Sequence, residues 1–323
     1  MSLPDIETIW NVSEHNFNDI ALQLFQYQVK NNPVYAQYVK LLDKRPHSIA
    51  HYSQIPFLPI AFFKTHKIVS GAQQTDFYFE SSSTTGLNTS KHFVPDVALY
   101  HANAKCIFES RFGNLADYTF YGLLPNYLER QNSSLVSMVD FFMRENKQSN
   151  SFFLYNHSDL YTKLTQPSIK KKLLFGVSFA LLDFADHFSL KDLEFTIIET
   201  GGMKGRKKEM TKDEVYNQLK NAFPKATILS EYGMTELLSQ AYSNELARYT
   251  CPAWMKVLVR NDSDPFTLQQ NEKTGALNII DLANVHSCAF IATDDLGKRY
   301  NDQSFEVLGR LDNADIRGCS LMV

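Results

Sequence analysis

The sequence predicts an α/β fold whose sheet is parallel over part of its width and gives way to a smaller β-rich part. Between residues 96 and 229, apolar runs of strand length alternate with stretches of helical period, the pattern of strands joined by crossover helices. In the last third, short apolar runs are joined by turns instead. At 323 residues, with 44% apolar and 13% aromatic side chains, the chain has material for one large domain or two ordinary ones. Its 13 glycines and 11 prolines leave little for long linkers.

Taken in order, Ile6 to Leu42 reads as helical. Asn16 is a candidate cap for a stretch carrying Ile20, Leu22, Leu24 and Phe25, and Pro33 breaks it before Tyr35 to Leu42. Ile55 to Phe63 is very apolar, but Pro56 and Pro59 exclude a central strand, so the run reads as a packed connector. Phe77-Tyr78-Phe79 reads as a strand, and Asp96 to Arg111 as a helix with Val97, Tyr100, Ala104 and Ile107 in one stripe. Tyr118 to Leu124, Leu135 to Met138, Leu173 to Phe179, Leu193 to Glu199 and Ala226 to Leu229 are expected strands. Ala180 to His187 and Lys212 to Phe223 are expected helices between them. Lys256 to Arg260, Gly275 to Leu282 and Ala289 to Ala292 read as short strands of an antiparallel or barrel-like part. Sheets with parallel portions bind ligands beyond the carboxyl ends of their strands, so the chemistry is expected in the loops there.

Composition narrows the function classes. A net charge of −3 gives no electrostatic reason to expect a nucleic acid or an anionic membrane as partner. No apolar run approaches the roughly 18 residues of a membrane span. The first residues lack the basic-then-apolar order of a signal peptide. Cys106, Cys251, Cys288 and Cys319 are widely spaced, which fits reduced thiols better than disulfides or a zinc site. The expectation is a soluble cytoplasmic protein.

Several stretches carry possible chemistry. Ser81, Ser82, Ser83, Thr84, Thr85, Thr89 and Ser90 surround Gly86 and are closed by Lys91. Free backbone N–H groups, hydroxyl donors and a cation make a wrap for a polyphosphate, although a solvated hydroxyl-rich loop has the same composition. The Walker pattern is absent. Thr200-Gly201-Gly202 closes an apolar strand and allows a flat ligand or phosphate to approach, or simply makes a tight turn. Ser230-Glu231-Tyr232-Gly233-Met234-Thr235-Glu236 follows a strand: Tyr232 can stack on a base, Gly233 allows close approach, Thr235 can donate to a phosphate and Glu236 can hold Mg²⁺. Thr293-Asp294-Asp295-Leu296-Gly297 follows a short strand and either takes ribose hydroxyls or forms a β-turn. Gly309-Arg310-Leu311-Asp312 and Arg317-Gly318-Cys319 complete the series.

In this order the stretches resemble the motifs of adenylate-forming enzymes. The hydroxyl segment is similar to their phosphate loop, with Ser83 where glycine is usual and Lys91 slightly late. Thr200-Gly201-Gly202 resembles the adenine-side glycine segment, and Tyr232-Gly233-Met234-Thr235-Glu236 matches Tyr-Gly-x-Thr-Glu closely. Thr293 to Gly297 is similar to Thr-Gly-Asp-Leu-Gly, which puts Asp295 on the ribose, and Gly309 to Asp312 looks like the Gly-Arg-x-Asp hinge. Within that superfamily, the Ile55 to Lys64 run and the ending Arg317-Gly318-Cys319 resemble the acyl-protein synthetase of bacterial luminescence and its relatives.

The resemblance implies the large-domain fold of adenylate-forming enzymes, mixed sheets with flanking helices, with the C-terminal small domain largely absent. It divides the chain into a helical segment (1–75), the core (76–308) and a hinge-like tail bearing the cysteine (309–323). It implies ATP and Mg²⁺ as cofactors, activation of a carboxylic, fatty acid, and acyl transfer to Cys319 for delivery to a partner reductase. Lys91, Arg310 and Cys319 would be catalytic; Ser81 to Gly86, Gly201, Gly202, Tyr232, Gly233, Thr235, Asp295 and Arg310 would bind nucleotide; Glu236 would bind the metal. The acyl pocket is expected from Phe175 to Phe179 and from Phe152, Phe153 and Tyr155. A ligase using an external thiol and a non-catalytic nucleotide-binding subunit of a reductase are the alternatives.

Overall fold

A computed structural model describes residues 2–72, 75–81, 89–125, 131–149, 151–201, 210–244 and 248–311. Its centre is four parallel strands in sequence order: Tyr118–Leu123, Lys171–Val177, Thr196–Thr200 and Thr227–Tyr232. With Leu58–Pro59 (β1), Tyr78–Glu80 (β2) and Lys91–Phe93 (β3) before them, these are β4 to β7. Each is almost wholly buried, as expected of strands covered on both faces. Helices Ser134–Glu145 and His157–Thr165 lie between β4 and β5, Ser178–His187 between β5 and β6, and Lys212–Ala222 between β6 and β7.

Beyond β7 the same sheet continues antiparallel. Ala241–Ser243 (β8), Tyr249–Thr250 (β9), Met255–Arg260 (β10), Thr274–Asp281 (β11), Phe290–Arg299 (β12) and Phe305–Arg310 (β13) extend it in the order β7-β8-β9-β13-β12-β11-β10. The β-rich part is therefore an extension of the main sheet. One edge of β12 is shared: Ile291 and Ala292 pair in parallel with Leu58 and Pro59, while Asp295 to Arg299 pair with β13. The proline-bearing connector thus gives a two-residue strand and no more.

Three expected elements differ. Leu135 to Met138 is helix, because Ser133 Oγ accepts from Val136 N and Val136, Val139, Phe142 and Met143 form a buried helical stripe. A four-residue apolar run does not itself distinguish helix from strand. Strand β7 runs on through Glu231 and Tyr232, and β12 runs on through Thr293 to Gly297 rather than ending at Ala292. Asp295 accordingly sits in a ladder, opposite Arg310, and not in a turn. At the N-terminus, Asn16 bonds Ser13 instead of capping helix Phe17–Asn31, whereas Asn32 caps Pro33–Leu41 by accepting from Tyr35 N.

The N-terminal helices are stitched to the far end of the chain. Gln28 Nε2 donates to Asn284 O at 2.9 Å and its Oε1 accepts from Ala289 N at 2.9 Å. Asn32 Nδ2 donates to Ser287 O at 3.2 Å, and Ser70 N to His286 O at 2.8 Å. Among the described residues no helix is long and apolar enough to cross a membrane.

Candidate active site

A cleft of about 770 Å³ opens at the carboxyl ends of the parallel strands. Leu124 and Pro125 follow β4, Val177 ends β5, Thr200 and Gly201 close β6, and Glu231 to Glu236 leave β7. Asp294, Asp295, Val307, Gly309 and Arg310 face it from β12 and β13, and Lys64, Glu80, Ser81 and Ser90 from the N-terminal side.

The β7 exit is held on several sides. Asp281 Oδ2 accepts from Leu238 N at 2.8 Å and Ser239 N at 2.9 Å, and Oδ1 accepts from Ser239 Oγ at 2.6 Å. His92 Nδ1 lies 2.8 Å from Thr235 O, and Asn284 Nδ2 donates to Glu236 O at 2.9 Å. Because a carbonyl only accepts, His92 carries its proton on Nδ1. Burial lowers the His92 pKa to about 4, so the ring is neutral at physiological pH. The peptide groups of Thr235 and Glu236 are thereby fixed by side chains from two other parts of the fold.

Side chains at the strand ends form two groups. In the first, Tyr232 OH donates to Asp295 Oδ2 at 2.9 Å, and Arg310 Nε stands 3.4 Å from Asp295 Oδ1. Burial raises the Asp295 pKa, opposed by the Tyr232 hydroxyl and the Arg310 charge. Burial likewise raises Glu236, opposed by the Ser90 hydroxyl, its own backbone and Arg310. In the second group, Glu199 accepts from Lys212 Nζ at 2.5 Å, from Ser230 Oγ at 2.9 Å and from Ser178 Oγ. Thr200 Oγ1 donates to Glu231 Oε2 at 2.6 Å. Burial would lower the Lys212 pKa, but Glu199 reverses this and leaves it raised. A Cβ at Gly233 would lie 2.2 Å from Glu231 Oε1, so a side chain there would make that carboxyl shift.

The structure brings Ser81, Gly201, Tyr232, Gly233, Thr235, Glu236, Asp295 and Arg310 to this one cleft. Gly201 has φ of 79°, a conformation that favours glycine. Ser82, Ser83, Thr84, Thr85, Gly86, Gly202 and Cys319 lie outside the described residues. Two expectations are corrected. Lys91 does not line the cleft; it pairs across the β2–β3 hairpin with Glu80 and its ammonium lies 4.7 Å from the Tyr78 ring centre. The aromatic acyl pocket is absent from the expected residues. Phe175 is fully buried against Phe120 and Phe142, Phe152 packs on Gly122, Phe153 packs against Tyr121, and Tyr155 is exposed. Of all these, only Val177 borders the cleft. Strand β5 lies between β4 and β6, so its side chains are used by the core.

Sequence reasoning missed Glu199, Lys212, Lys64, His92 and Asn284. Of these, Glu199 carried a signal: a carboxylate directly after Ile197 and Ile198 in a run read as a buried strand, where an unpaired charge is costly.

No family model matches the sequence, and no curated protein does. Solved structures do. ATP-bound MatB from Rhodopseudomonas palustris superposes with a TM-score of 0.56 at 14% identity, over 74% of this chain and 49% of that one. O-succinylbenzoate coenzyme A synthetase (MenE) from Bacillus subtilis, in complex with AMP, gives 0.51 at 14% identity, over 76% and 51%. The luciferase-like enzyme of the mealworm Zophobas morio gives 0.52 at 14% identity, over 84% and 62%. The fold is that of the large domain of adenylate-forming enzymes. This chain spans about half the length of the first two structures.

Proposed function

We propose that the chain activates a carboxylic acid with ATP, as an acyl-adenylate, and passes the acyl group to a thiol. The observation that carries this reading is the meeting of four separated motifs in one cleft: Gly201, Tyr232 to Glu236, Asp294 with Asp295, and Gly309 with Arg310. The fold supports it, and so do solved neighbours whose own structures hold ATP, AMP or ATP with magnesium.

In this reading Asp295, already oriented by Tyr232 and Arg310, accepts the ribose hydroxyls. Gly201 and Gly233 allow the nucleotide to lie against backbone, and Thr235 donates to a phosphate. The substrate carboxylate attacks the α-phosphorus, the bond to the β-phosphate oxygen breaks, and pyrophosphate leaves with its electron pair. Arg310 offsets charge that grows during this displacement. Among the described residues no three His, Cys, Asp or Glu side chains group as metal ligands. Mg²⁺ would be held by Glu236 together with phosphate oxygens, as is usual for this ion, and would neutralise phosphate charge. In the second step a thiolate attacks the acyl carbonyl, forming a thioester and releasing AMP. Cys319 is the acceptor we favour, and a reductase would then take the acyl group from it.

The test is pyrophosphate release and intact mass after incubation with Mg-ATP and a panel of carboxylic acids, beside Cys319→Ser. A mass gain matching one acid, absent in the variant and reversed by hydroxylamine, is expected. Pyrophosphate release without a mass gain would move the reading to an external thiol. Binding of ATP with no pyrophosphate release under any acid would refute the activation step.

A further inference from the structure

Among the described residues, a nucleoside triphosphate entering this cleft meets five lining carboxyl side chains, Glu80, Glu231, Glu236, Asp294 and Asp295, against three cations, Lys64, Lys212 and Arg310. Two of the cations are already engaged, Lys212 with Glu199 at 2.5 Å and Arg310 with Asp295 at 3.4 Å. Lys64 is exposed and has no ion pair among the described residues. Among the described residues it is the one lining cation left to meet an anion without giving up a partner.

Its place in the fold is fixed. Ile60 N donates to Ala292 O at 2.9 Å, which ties the connector to β12 just before Asp294. Phe63 stands edge-on to His92, ring centres 5.7 Å apart, and His92 holds the Thr235 carbonyl. Helix Phe62–Thr65 therefore carries Lys64 beside the strand that follows the hydroxyl segment and the turn bearing Thr235 and Glu236.

We propose that Lys64 is the cation that takes the nucleotide's β- and γ-phosphates. This rests on the nucleotide reading above and adds to it a residue from outside the five motifs. Lys64 lines the cleft from the connector, so the segment before the hydroxyl-rich stretch would be part of the site and not only its support.

The experiment compares Mg-ATP and AMP binding by calorimetry in the native chain, Lys64→Met and Lys64→Arg. A charged hydrogen bond to phosphate predicts about a 10- to 100-fold loss of ATP affinity in Lys64→Met. AMP affinity should change by less than about 3-fold, and Lys64→Arg should recover most of the ATP affinity. Equal losses for ATP and AMP would show a merely structural residue and overturn the proposal, as would unchanged ATP affinity. If the native chain binds neither nucleotide, the functional reading itself fails and this proposal with it. Should Lys64→Met fold poorly, Lys64→Gln gives the same ATP-to-AMP comparison.

Discussion

Glu231 offers a test that needs no ligand. Burial pushes its pKa from an ordinary 4.5 to about 7, helped by Glu199 and opposed by the Thr200 hydroxyl and Lys212. A carboxyl with a raised folded-state pKa binds its proton more tightly in the folded chain than in the unfolded one. Stability from this group is therefore present below pH 4.5, falls as pH rises through the interval up to about 7, and stays reduced above it. At roughly 1.36 kcal/mol per pH unit, the interval is worth about 3 kcal/mol. Glu231→Gln keeps the shape and an oxygen for the Thr200 hydroxyl, but has no proton to lose. For a chain of 323 residues, an unfolding entropy of roughly 2.1 cal/mol/K per residue converts that energy to about 4 °C. Thermal unfolding followed by circular dichroism at pH 5 and pH 8.5 measures it. The melting temperature of the variant relative to the native chain should rise by about 4 °C between the two conditions. A constant difference at both pH values would mean that Glu231 titrates normally and that the account of its burial is wrong.

Two further substitutions test how the site is held. Gly233→Ala places a Cβ where Glu231 Oε1 now lies, so it should displace the carboxyl and cost about 1–3 kcal/mol by denaturant unfolding. Asp281→Asn turns an amide donor toward Leu238 N, Ser239 N or Ser239 Oγ, and should cost about 2–3 kcal/mol, with hydrogen-exchange protection falling first at residues 238 and 239.

What the sequence made legible was chemistry that is contiguous. Tyr232, Gly233, Thr235 and Glu236 lie within one short stretch, shortly after the apolar residues Ile228 and Leu229. The alternation of apolar runs gave the parallel part of the sheet, because buried strands leave a continuous apolar signature. What stayed hidden depends on register and on long-range packing. Nothing local says that Asp295 faces Arg310 across a ladder, or that Asp294 and Asp295 continue a strand rather than turn out of it. Lys91 closes the hydroxyl-rich stretch and was expected at the phosphates, although slightly late for the pattern, yet the β2–β3 hairpin gives its ammonium to the Tyr78 ring. Phe175 looked like pocket lining because an apolar side chain reads the same in a core and in a cleft. Lys64 and Lys212 were ordinary lysines until the fold carried them to the rim.

The stitching of the first helices to the last third of the chain has a consequence for synthesis. Gln28 finds its partner 256 residues later, at Asn284. At a ribosomal rate of roughly 5–20 residues per second, that partner emerges about ten seconds to a minute after Gln28 does. Until then the face of helix Phe17–Asn31 that carries Phe25 also lacks Phe290 of β12, whose ring packs edge-on against it. The N-terminal segment is made first and fastened last, so nascent chains stalled before residue 284 should present that face to holding chaperones, and completed chains should not.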